Sequence, residues 1–201
     1  SDQNCLDAPG MGCEGWQEYD GTLLGAEQEA WLDDELIAST AIWKLITQQI
    51  VFSTVDFNGS LVNFDQWDGY PLARQRILDL IANQNLANVV VLSGDIHLGG
   101  LGDLTALADD DESPVIAAEI VTTSISSNPN LPPGALETAL DSLPLLKYIN
   151  AHSRGYVSHE LTRELYTVRC VIVDTALEPS SPAMIEREAY IDVGVPGFRP
   201  A

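Results

Sequence analysis

The chain has 201 residues, 45% of them hydrophobic, with 30 acidic against 9 basic residues and a formal net charge of −21. That length suits one domain with a sizeable core, and no apolar run approaches the ~18–20 residues of a membrane span. Two lysines and seven arginines do not make a patch that neutralises many phosphates, which argues against non-specific nucleic-acid binding. The acidity is uneven, because ten Asp or Glu precede the first basic residue, Lys44. Such a surface favours solubility and salt tolerance and identifies no function.

The chain starts at Ser1 in a polar segment, without Met or a signal-peptide pattern, as expected of a mature or truncated product. Residues 1–21 read as a Gly/Asp-rich loop in which Cys5 and Cys13 flank a Gly/Pro turn. Pairing them would close a tight surface loop, worth roughly 2–3 kcal/mol in the chain-entropy model. The alternative is two free thiols; no His or further Cys stands near to complete a zinc site. A disulfide and an oxidising compartment are expected. Cys170, alone in an apolar run, reads as a core residue.

Gly25 to Ser39 predicts a helix with Trp31, Leu32 and Leu36 on one face and acids opposite. Trp43 to Ser53 predicts a strand. Pro71 opens a second helix reaching Gln84, with a stripe of Ala73, Ile77, Leu80 and Ile81. Asn88 to Ser93 (NVVVLS) has the all-apolar pattern of a strand buried on both faces, and Val115 to Thr122 is similar. Ala135 to Lys147 reads as a helix interrupted by Pro144. Leu165 to Asp174 and Ala189 to Val193 alternate as half-buried strands. Interleaved strands and helices followed by strands give an α/β class with a mixed sheet.

The chemistry concentrates in Ser93-Gly94-Asp95-Ile96-His97, directly after the buried strand. At the C-terminal ends of central strands, side chains project into the crevice where α/β folds bind ligands. Gly94 lets the backbone turn, and i, i+2 spacing can bring Asp95 and His97 to one side of an extended chain. A carboxylate beside an imidazole suits metals: the hard oxygen fits Ca²⁺, Mg²⁺ or Mn²⁺, and the imidazole fits Fe or Zn²⁺. The plainer reading is a turn-capping Asp and a His bonded to a backbone carbonyl. Two ligands do not complete a site, and His152 and His159 stand far along in polar surroundings.

LLGAEQEAWL, WKLITQQIVF, DQWDGYPLARQRIL, NVVVLSGDIH, EIVTTSISS and RGYV follow one another here. In that order they resemble PhoD-type alkaline phosphatases, phosphomonoesterases and phosphodiesterases of the metallophosphoesterase superfamily. The resemblance runs from about Leu23 to Tyr190. It implies that Asp95 ligates a Ca²⁺-like ion and His97 an Fe³⁺-like ion in a two-metal site, with Zn²⁺, Mn²⁺ or Mg²⁺ as alternatives. It also implies a four-layer αββα sandwich with mixed sheets, and hydrolysis of phosphate mono- or diesters by water activated between the ions. In the family the Gly-Asp-x-His element closes the site. Nothing in residues 98–201 matches the Gly-Asp-x-x-Asp or Gly-Asn-His that would follow an opening motif. Residues 1–22 are therefore expected to be a surface loop, and 23–201 the C-terminal part of the domain. By itself the chain is expected to be inactive, needing the N-terminal half of the same precursor as partner. A periplasmic or secreted location is expected.

Trp67 and Asp68, in a Trp-Asp-Gly-Tyr-Pro loop, could wall a substrate pocket; alternatively they cap and pack the helix that Pro71 starts. Arg154 could contact a phosphate oxygen or pair with a surface acid. Thr122, Thr123 and Ser124 could line the cleft or only end a strand. The competing function is that of a degenerate homologue acting as a non-catalytic structural or binding component. An intact Gly-Asp-Ile-His weighs against it.

Overall fold

The computed structural model describes residues 15–54, 56–57, 60–61, 64–108, 110–127 and 143–200, with backbone only for 56–57 and 60–61. Cys5, Cys13 and most of the helix expected from Ala135 lie outside the described residues. A 3₁₀ turn at Trp16–Glu18 leads to α1 (Ala26–Ala38), followed by β1 (Lys44–Thr47), β2 (Asp56–Phe57) and β3 (Ser60–Leu61). A second 3₁₀ turn (Trp67–Gly69) runs into α2 (Pro71–Asn83). Then come β4 (Val89–Ser93), β5 (Gly99–Thr105), β6 (Val115–Val121), β7 (Leu146–Asn150), β8 (Arg154–Leu161), β9 (Leu165–Val173) and β10 (Ala183–Asp192).

One sheet has five strands in the order β1-β4-β6-β5-β7, and a second has three in the order β10-β9-β8. β1, β4 and β6 run parallel, whereas β5 pairs antiparallel with both β6 and β7. Val89 and Val91 face a core built with Leu36 of α1 and Ala73, Ile77 and Ile81 of α2. Val90 faces the other way, into a core shared with Tyr166, Val168, Ala189 and Ile191 of the three-stranded sheet. The alternation along one all-apolar strand thus feeds two cores, because both faces of β4 are covered. The layers run helices, sheet, sheet, which is a mixed α/β architecture and three of the four layers of an αββα sandwich.

Pro71 sits in the first turn of α2, where its missing N–H costs nothing. Leu80 packs at the core margin beside the buried Ala73, Ile77 and Ile81. In α1 the inward line is Glu29, Leu32, Asp33 and Leu36, and Trp31 turns to solvent at 56% exposure. Trp31 precedes Leu32 by one residue, about 100° around the helix, and that offset carries it past the edge of the inward face. Glu29 is tolerated inward because Arg76 of α2 donates to both of its oxygens at 3.1 Å. Burial, then the neighbouring Glu29, raises the Asp33 carboxyl above its ordinary value.

The strand expected from Trp43 to Ser53 stops at Thr47, because side chains claim the next amides. Ile50 N donates to Gln48 Oε1 (3.1 Å), Val51 N to Gln66 Oε1 (2.6 Å), and Phe52 N and Ser53 N to the Glu119 carboxylate (2.7 and 2.8 Å). The end of the expected helix Ala135–Lys147 is corrected too: Leu146 and Lys147 open β7, paired with β5.

Candidate functional site

β1, β4 and β6 end side by side. Gln48 N donates to Leu92 O (3.0 Å), Gly94 N to Gln49 O (3.0 Å) and Thr122 N to Ser93 O (2.8 Å). These bonds carry the parallel pairing one step past the strands, and there the chain between β4 and β5 turns out of the sheet. A Cβ at Gly94 would lie 3.6 Å from Gln49 O and 3.7 Å from Thr122 O. The backbone therefore leaves the sheet through a crevice bounded by both neighbours, as expected where α/β sheets bind ligands.

The turn itself is not extended. Ile96 N donates to Gly94 O at 2.9 Å, closing a three-residue γ-turn around Asp95, whose φ is +71°. His97 also has a positive φ, +59°. Among the described residues the other non-glycines with positive φ are Asn85 and Asn88. Asp, Asn and His tolerate this region better than most residues, yet each such position costs about 1 kcal/mol. The side-by-side placement expected from an extended i, i+2 spacing is thus replaced by a strained turn holding an exposed Asp95 and a half-buried His97. Strain of this kind concentrates where function demands a geometry.

Below the turn lies a buried polar network. Glu119, 1% exposed in the middle of β6, accepts the Phe52 and Ser53 amides and the Ser93 hydroxyl. Ser93 Oγ in turn accepts from Gln48 Nε2 at 2.7 Å. Gln48 Oε1 accepts the Trp67 indole N–H at 3.1 Å. Gln66 joins the network to the turn, its Nε2 donating to Asp95 Oδ2 at 2.8 Å. Sequence reasoning passed over Gln48, Gln66 and Glu119. Glu119 alone carried a signal: a single carboxylate inside an apolar strand must be given donors.

Trp67 and Asp68 are each 2% exposed, so neither presents an open wall. Trp67 packs on Phe52 with ring centroids 5.1 Å apart. Asp68 pairs with the buried Arg74 at 2.5 Å, and Arg74 Nη1 also donates to Phe52 O at 3.3 Å. Both residues brace loop 50–53 from beneath. Arg154 opens β8 and donates to His152 O at 3.1 Å. The residues on either side of it are tied to the strand-end side, since Thr123 Oγ1 donates to Ser153 O at 2.9 Å and Gly155 N to Ser124 O at 3.2 Å. Asn150 shapes this turn, its Oδ1 accepting the His152 and Ser153 amides at 3.0 and 2.8 Å. Asp95 and His97 are adjacent in one turn, and Arg154 is anchored beside the neighbouring strand end; Trp67 and Asp68 lie below.

Comparison with known proteins gives the chain its relatives. Alkaline phosphatase D of Bacillus subtilis (strain 168) is 35% identical over 175 residues, which is 85% of this chain and 30% of that protein. A solved structure described as the structure of PhoD superposes with a TM-score of 0.88 at 30% identity, covering 99% of this chain and 39% of that one. The chain thus spans about a third of the length of the relatives it matches. Residues 1–170 match the PhoD-like phosphatase family, and the chain belongs to that family.

Proposed function

We propose that this chain supplies the closing part of a two-metal site that hydrolyses phosphate mono- or diesters, with Asp95 and His97 as its metal ligands. The observation that carries the reading is the strained turn presenting both residues at the ends of three parallel strands, in a PhoD-like family member. The donors suit the metals: one oxygen of Asp95 is engaged by Gln66, leaving the other as a hard donor, and the His97 imidazole suits iron or zinc. Ca²⁺ at Asp95 and Fe³⁺ at His97 are the proposed ions, with Zn²⁺, Mn²⁺ and Mg²⁺ as alternatives. When bound, two such ions neutralise phosphoryl charge and activate water.

Within the chain, Asp95 and His97 hold position and move no proton. Arg154 is the proposed contact to a phosphate oxygen. No group of three or more His, Cys, Asp or Glu able to hold a metal occurs among the described residues. The remaining ligands are therefore proposed to come from the N-terminal part of the family's domain, as the partner that completes the αββα sandwich. No helix among the described residues is long and apolar enough to cross a membrane. A periplasmic or secreted location is proposed from the Cys5 and Cys13 pair.

Elemental analysis of the full-length gene product should find two metal ions. Asp95→Ala and His97→Ala should deplete them and abolish hydrolysis of an aryl phosphate ester. Residues 1–201 alone should bind metal weakly, since two ligands do not outweigh dehydration of a hard cation. Full metal content in both variants would overturn the ligand assignment, and tight binding by residues 1–201 would overturn the need for a partner.

A further inference from the structure

We infer that Gln66 is a positioning residue for Asp95, an inference that rests on Asp95 being a metal ligand. Gln66 is 4% exposed and has two partners of opposite kind. Its Oε1 accepts Val51 N–H at 2.6 Å, and its Nε2 donates to Asp95 Oδ2 at 2.8 Å. The amide can be oriented only this way, because a backbone N–H needs an acceptor and a carboxylate needs a donor. Val51 returns the contact, its carbonyl accepting Trp67 N at 3.3 Å. The two amides that follow Val51 are pinned by Glu119, and Trp67 is pinned by Gln48.

Gln66 is therefore rigid at its far end before it touches Asp95. Its N–H holds one lone pair of Oδ2 and so fixes the plane of the carboxylate, with Oδ1 as the less encumbered donor. A neutral amide does this without adding charge to the site, so the carboxylate is oriented while its full charge stays available to a cation. Removing such an orienting partner commonly weakens metal binding 10–100-fold.

The test uses the metal-stripped full-length gene product, with Mn²⁺ affinity read by electron paramagnetic resonance and thermal unfolding read without metal. Gln66→Glu keeps an acceptor for Val51 N–H but cannot donate to Asp95 when ionised. It should weaken Mn²⁺ binding about tenfold and lower the metal-free melting temperature, because a buried carboxylate then faces Asp95. Gln66→Met loses both bonds and should show the same weakening in its folded fraction, together with a lower melt. Parental or tighter Mn²⁺ affinity in folded Gln66→Met, which adds no charge or hard oxygen donor, overturns the positioning role. Asp95→Ala separates the two readings. If it binds Mn²⁺ at full affinity, the ligand assignment fails and the role of Gln66 fails with it. If it loses Mn²⁺ while folded Gln66→Met does not, only the positioning role fails.

Discussion

Cys170 lies on β9 at 5% exposure, opposite Arg187 of β10. Burial, reinforced by the charge of Glu186 and opposed by Arg187, pushes its thiol up to about 12 from an ordinary 9.0. Since the thiolate is the reactive form, Cys170 should resist an aromatic disulfide reagent at pH 8 in the folded protein and react at once in urea. Peptide mapping without reduction should find it unlinked and Cys5 joined to Cys13. The native state holds the Cys170 proton more tightly than the unfolded chain. That contribution to stability is complete below pH 9, declines as the pH rises toward 12, and is measurable in urea melts at stepped pH. At this scale the sequence put Asp95 and His97 just past the end of a buried strand, and the structure has them there, in the turn after β4. Gln66 was invisible because its bond to Asp95 crosses 29 residues, and a polar side chain near a turn ordinarily faces water.

The legible elements were those whose own residues demanded burial. Val89–Ser93, Val115–Val121 and Leu165–Val173 are apolar enough to be strands in any setting. β5, Gly-Gly-Leu-Gly-Asp-Leu-Thr, carries no strand pattern of its own and becomes a strand because β6 and β7 pair with both its edges. β10 was recognised only from Ala189, because its alternation is broken upstream. Between Ile185 and Arg187 the register with β9 shifts, and the extra residue, Glu186, reaches the Tyr148 hydroxyl and Asn150 Nδ2 of the other sheet. This bulge re-aims a carboxylate across the sandwich. β8 depends on a glycine: a Cβ at Gly155 would lie 1.8 Å from Val171 O. Gly155→Ala must push β8 away from β9, and it should cost about 2 kcal/mol or more in urea unfolding. A variant as stable as the parent would show that this edge of the sheet yields easily.

Across the whole molecule, two cores lie on either side of one sheet, and the acidic surface around them is only locally neutralised. Arg169 bridges Glu160 and Glu188 on the outer face of the three-stranded sheet, and Arg199 pairs with Asp192. Exposed pairs of this kind contribute little, so burial carries the fold. The α/β class was readable from interleaved helices and strands, and the layering came only with the family resemblance; the strand order was not readable, since nothing local tells β5 to lie between β6 and β7. That order separates the molecule by the sequence distance its contacts span. β8, β9 and β10 pair in succession through consecutive antiparallel neighbours. The five-stranded sheet must instead bring Lys44 to Val89 and Val90 to Ala118. Each doubling of such a loop adds only ~0.6 kcal/mol of closure cost, but distant pairing slows assembly far more than it weakens the product. In refolding followed by pulsed amide exchange, protection should appear in Tyr166–Val173 before Val89–Ser93. Simultaneous protection would mean that both sheets form in one nucleation step. If protection follows the expected order, the crevice holding Asp95 and His97 is the last part of the molecule to set, laid down on a three-stranded sheet whose neighbours already pair in chain order.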